Sequence, residues 1–222
     1  MRKRTSTGNI AIGVFVVGAL LTILAFFSRS WLVSDYRITG AAFNRLGLWH
    51  HCFRSLADPN DEYGRRFFAG CRWIFDPFTT GYDQIRGYLV PTFMIVTQFF
   101  YTIAFLAVLA SSVGVLIFFL CCTPDEDRFT LLTKALGFTL IGAGCSAALA
   151  VLVFGLYGNR DNWMPGHDNN FFGWSFGVAI ASVFALLASG ILFLTETRIQ
   201  EKKEKYAKES QSRFEMDQET KA

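Results

Sequence analysis

The chain has 222 residues, 52% of them hydrophobic and 18% charged, with a mean hydropathy of +0.31 and a net charge of +3. This apolar excess points to a membrane protein and leaves too little polar sequence for a separate soluble domain. Outside the apolar blocks there is no basic patch with interleaved aromatics, phosphate-binding glycine loop, dinucleotide fingerprint or zinc spacing, so neither nucleic acid nor any cofactor or metal is expected as a partner.

A short N-terminus, residues 1–9, carries Arg2-Lys3-Arg4 and leads into eighteen uncharged residues, 10–27. At about 1.5 Å per residue that stretch crosses most of a bilayer core. Ser28-Arg29-Ser30 offers small residues suited to signal-peptide cleavage. The apolar run is nevertheless longer than the roughly 7 to 15 residues of a signal core, which favours an uncleaved first span at 10–28.

The first outer loop, 29–87, contains three segments aromatic and β-branched enough to be strands: Trp31-Leu32-Val33-Ser34, Gly47-Leu48-Trp49-His50 and Arg72-Trp73-Ile74-Phe75. Asp58-Pro59-Asn60-Asp61 supplies turn chemistry between two of them. A small antiparallel sheet resting on the outer ends of the helices is the economical arrangement.

No charge falls between Arg86 and Asp125, and Pro91 suits the first turn of a helix, so the second span is placed at 88–120, standing above the outer surface. A loop at 121–134 leads to a third span, 135–158, rich in Gly and Ala. A second outer loop, 159–170, precedes the fourth span, 171–195. There Gly173, Gly177, Ala181, Ala185 and Ser189 recur at every fourth position. Such a stripe lets helices approach closely in lipid, and bundle packing is favoured over a dedicated oligomer face. In the tail, 196–222, acidic and basic residues alternate. Glu201 and Lys205 stand four apart, which suggests a turn or two of helix followed by a partly disordered handle.

Four spans put both termini on one side. All lysines lie in the N-terminus, the 121–134 loop or the tail, which makes that side cytosolic by the positive-inside rule. The first loop complicates the count with eight Arg against six acids.

Of five cysteines, Cys145 lies within the third span as a packing residue. Cys121 and Cys122, at the cytosolic end of the second span, are either palmitoylation sites or ordinary boundary residues. Cys52 and Cys71, the remaining pair, share the first loop and read as one disulfide in an oxidising compartment. His50 and His51 could be drawn with them as a zinc site, but adjacent side chains on a strand point to opposite faces.

Trp31, the run Gly47-Leu48-Trp49, Cys52 and Cys71 resemble the first-loop signature of the claudin family. Arg86 resembles the arginine that claudins keep before their second span, and Gly173-Trp174 the pair that opens their fourth helix. The resemblance implies a four-transmembrane-helix, membrane all-α bundle with a small extracellular β-sheet. It also implies a plasma-membrane protein that forms homo- or hetero-oligomers with claudin-like junction proteins. Two departures point to a divergent branch associated with septate junctions. The Cys52 to Cys71 spacing is wider than in claudins, and the tail, ending Thr220-Lys221-Ala222, lacks the Tyr-Val offered to PDZ domains, which argues against PDZ binding.

No span contains Asp, Glu, Lys, Arg or His, the usual mark of an ion pathway, and no nucleophile and base converge outside the membrane, so neither transport nor enzymatic activity is expected. What remains is contact at the cell surface: assembly of a cell–cell junction and its paracellular barrier, with Phe67, Phe68 and Trp163 as candidate contact residues. For Phe67 and Phe68, packing onto the helix ends is an equal alternative. The competing class is an auxiliary subunit or trafficking partner of an ion channel.

Overall fold

The computed structural model describes residues 5–35, 37, 41–58, 61, 63, 65–78, 82–120, 126–160 and 163–219. In chain order the elements are α1 (Ser6–Phe27), β1 (Leu32–Ser34), β2 (Phe43–Leu46), β3 (His50–Ala57), β4 (Phe67–Trp73), α2 (Tyr82–Leu89), α3 (Thr92–Leu120), α4 (Glu126–Tyr157), β5 (Asn170–Phe172) and α5 (Trp174–Glu219). Among the described residues four helical stretches are long and apolar enough to cross a membrane: Ser6–Phe27, Thr92–Leu120, Phe129–Tyr157 and Trp174–Arg213. Their outer faces carry exposed Leu20, Leu116, Leu152 and Phe184, side chains that suit lipid and not water. The protein is a multi-pass membrane protein.

Helix α5 lies between α1 and α4, and α3 closes the bundle against α4 and, over a smaller area, α1. Small residues permit these approaches. A Cβ on Gly190 would come 3.0 Å from the Gly137 carbonyl oxygen, and one on Gly18 would come 3.2 Å from Ala185 Cβ. The stripe expected on α5 is only partly used, because a four-residue repeat overshoots a helical turn by about 40°. Gly173 and Ser189 are buried, the Ser189 hydroxyl donating to the Ala11 carbonyl at 3.2 Å, while Gly177 and Ala181 between them face outward.

At one end of the bundle sits an antiparallel sheet of strand order β4-β3-β2-β1-β5. Strand β5 comes from the segment before α5 and pairs Phe172 with Leu32 and Asn170 with Ser34, so the second outer loop is sewn to the first. The core at this end includes Trp31, Leu46, Leu48, Phe53, Tyr101, Phe154 and Phe176. A second core, around Phe15, Val108, Phe118 and Phe193, fills the opposite end.

Several boundaries differ from the sequence reading. Gly47, Leu48 and Trp49 form the turn between β2 and β3 and not a strand: the Gly47 N–H donates to the His50 carbonyl at 2.9 Å. Strand β4 starts at Phe67 and ends at Trp73, with Ile74 and Phe75 in a turn. A short helix, α2, precedes Pro91, whose carbonyl accepts from the Met94 N–H at 2.9 Å and so begins α3. Helix α4 begins at Glu126, inside the segment read as a loop, and its Thr133 donates to the Phe129 carbonyl and accepts from the Thr197 hydroxyl of α5 at 3.1 Å.

The tail differs most. Helix α5 runs unbroken to Glu219, well beyond a turn or two, and Glu196, read as the first solvated residue of the tail, is fully buried. Its carboxylate accepts from the Thr5 hydroxyl and from the Gln200 side-chain amide at 2.7 Å, so the buried group is hydrogen-bonded. Thr5 is also the N-cap of α1, accepting from the Gly8 N–H at 3.4 Å. Cys121 and Cys122 lie outside the described residues.

Candidate contact surface at the sheet end

Trp31 is the joint between sheet and bundle. The residue is fully buried and its indole N–H donates to the Ala25 carbonyl, the last turn of α1, at 2.8 Å. Its ring meets Tyr101, Phe154 and Phe176 at centroid distances of 5.3, 5.1 and 5.7 Å, one aromatic from each of α3, α4 and α5. Edge-on contacts of this kind add to the burial itself. The backbone is used as well: the Trp31 N–H donates to Leu46 and its carbonyl accepts from Gly173, at 2.7 and 2.9 Å.

The Gly47-Leu48-Trp49 turn is the second joint. A Cβ at Gly47 would sit on the Ser28 carbonyl oxygen, so only glycine lets the turn rest on the end of α1. Leu48 is fully buried, and its carbonyl accepts from the Gln98 side-chain amide of α3 at 2.6 Å. Trp49 packs on Phe26, with centroids 5.5 Å apart. Gly173 repeats the Gly47 device at the other loop, where a Cβ would meet the Ser30 carbonyl oxygen, and the exposed Trp174 opens α5.

Cys52 and Cys71 are bonded and face each other in register across β3 and β4. Removing a disulfide from a small outer module typically costs about 2–5 kcal/mol. Cys52→Ser should therefore lower the thermal stability of the purified protein and reduce its delivery to the cell surface. Mass spectrometry that found both thiols free in mature protein would contradict the bond.

Beyond the disulfide, Asp61 closes the β3–β4 connection, accepting from the backbone N–H groups of Tyr63, Arg65 and Arg66 at 3.1, 2.8 and 2.7 Å. Arg66 also reaches the buried Asp58 carboxylate at 3.6 Å. Arg86, on α2, holds its guanidinium 5.6 Å from the Phe75 ring centroid.

The candidate contact aromatics separate. Phe67 is 57% exposed, but Phe68 is buried against the sheet-end core because neighbouring strand residues point to opposite faces. Trp163 is also buried, 4.8 Å edge-on from Phe93, and its backbone carbonyl accepts from the Tyr88 hydroxyl. The exposed aromatics on or just after β4 that accompany Phe67 are Trp73, Phe75 and Phe78; Trp73 and Phe75 were read as strand residues and none of the three as a contact residue, and among the described residues β4 is an outer strand. Only the sheet order, a tertiary property, reveals that this strand is an edge.

Four membrane-crossing helices with a disulfide-closed sheet on one end define a structural class of multi-pass membrane protein. A family model described as PMP-22/EMP/MP20/Claudin tight junction matches residues 16–195, and the chain belongs to that family. Human Transmembrane protein 182 is 25% identical over 209 residues, which cover 80% of this chain and 89% of that protein.

Proposed function

We propose that this protein acts by contact, with the sheet outside the cell and both termini in the cytosol, in assembling a cell–cell junction and its paracellular barrier. The observation that carries the reading is the outer strand of the sheet. Among the described residues strand β4 pairs on one side only; it is pinned by the disulfide and presents Phe67 and Trp73 to solvent beside Phe75. Exposed aromatics on a rigid platform are the residues most often found at the centre of protein contacts. Family membership and the lysine distribution support the same assignment.

Eight Arg against six acids in the first loop give a mixed, slightly positive field. A cation-selective pore would present a dominant acidic ring, so sealing or scaffold assembly is favoured over selective permeation. Depleting the protein from an epithelium should raise leakage of an uncharged tracer and of ions together, and Phe67→Asp should reach the surface yet fail to restore the seal. Intact tracer exclusion with a change in one membrane current would instead identify an auxiliary channel subunit.

A further inference from the structure

We propose that the protein holds a phospholipid of its sheet-side leaflet in a groove between α2, the start of α3, the end of α4, Arg160 and Trp163. The proposal rests on the four-span placement and not on the junction role.

The groove has a volume of about 330 Å³ and is lined by Tyr88, Pro91, Phe93, Tyr157, Arg160 and Trp163 among others. That is the low end of the size range of small-molecule sites. Its height in the membrane follows from its walls: Phe93 is in the first turn of α3 and Tyr157 is the last residue of α4, so both stand where the spans leave the hydrocarbon. Tyrosine and tryptophan concentrate at that level, where one part of the ring is apolar and the other polar.

Two polar groups there make no hydrogen bond or ion pair among the described residues. Trp163 is 6% exposed, and its indole N–H makes no hydrogen bond among the described residues. A buried donor left unpaired carries a desolvation penalty that a ligand oxygen can relieve. Arg160 is exposed, with its guanidinium 4.6 Å from the Tyr157 ring centroid and no ion pair among the described residues. The ring holds the cation at the lip of the groove.

One ligand chemistry matches this set. A phosphodiester offers oxygens to the guanidinium and to an N–H donor, and the attached acyl chains extend along the apolar faces of Phe93 and Tyr157. A neutral sterol would supply a single hydroxyl and no charge to meet the Arg160 guanidinium. The guanidinium and the unpaired indole therefore favour a phospholipid.

The test uses the full chain reconstituted in nanodiscs of dioleoylphosphatidylcholine with cholesterol, extracted in mild detergent and weighed by native mass spectrometry. One retained phosphatidylcholine per chain is expected. Arg160→Gln should reduce its occupancy about tenfold, the equivalent of losing one charge-assisted hydrogen bond. Trp163→Phe should reduce it by a smaller factor, while Arg45→Gln, an exposed cation on β2 outside the groove, should leave it unchanged. Retention by Arg160→Gln equal to wild type, an equal loss in Arg45→Gln, cholesterol bound in place of phospholipid, or a second copy of the chain crosslinked through position 163 would each overturn the proposal. A normal barrier assay in any of these variants leaves the lipid measurement standing on its own.

Discussion

Trp31→Ala should be among the most destabilising single changes in the protein, by about 3–5 kcal/mol. The residue is fully buried, its ring touches aromatics from three helices, and its indole N–H caps the end of α1. Truncation leaves a cavity where sheet and bundle meet, and lipid does not enter to fill it. Trp31→Phe keeps most of the ring contacts and loses the hydrogen bond to Ala25, so its effect should be nearer 1 kcal/mol. Thermal unfolding in detergent measures both, with Leu20→Ala as the control because Leu20 is 56% exposed on the outer face of α1. If Trp31→Ala unfolds no more easily than Leu20→Ala, Trp31 is not the joint described here.

Trp31 was legible in the sequence as a signature residue, but its work was not. The four spans were legible because a bilayer demands long uncharged runs whatever the rest of the fold does, and the pair Cys52 and Cys71 because the other cysteines lie in or beside spans. The features that escaped depend on contacts between distant segments. Strand β5 is three residues with no alternation to announce it, and it forms because β1 offers an open edge. Gly47-Leu48-Trp49 has strand-like composition, yet Gly47 is there to let a turn lie on the Ser28 carbonyl. Phe68 and Trp163 have the composition of contact residues, and only packing tells that they face inward.

The burial of Glu196 was missed for a related reason. A charged residue at the end of an apolar run reads as the start of solvent, but its partner Thr5 lies at the other end of the sequence. The length of α5 was closer to the surface of the sequence, since Glu201 and Lys205 already stand at helical spacing. Exposed pairs of this kind contribute only a few tenths of a kcal/mol each, so pairing alone gave no reason to extend the helix to Glu219.

Acidification below about pH 6.5 should loosen the sheet, and His51 should be the main reason between pH 5 and 6.5. His51 is fully buried on β3, stacked on Phe53 with ring planes 10° apart. Neither ring nitrogen is hydrogen-bonded among the described residues. Burial pushes its pKa from 6.5 down to about 3, the nearby Leu89 backbone offsets part of this, and the charge on His50 adds to the lowering. The folded protein therefore keeps His51 neutral where the unfolded chain would take up a proton. Stability from this group is complete above about pH 6.5 and is lost progressively as pH falls towards 3, because the unfolded state then binds more protons. The loss should be roughly 2 kcal/mol by pH 5, from about 1.36 kcal/mol per pH unit. His51→Phe keeps the ring stacked on Phe53 and removes the titration. Its thermal stability should be close to wild type at pH 7.5 and nearly flat down to pH 5, while the wild type falls. Parallel profiles for the two proteins across that window would assign the acid sensitivity to another group.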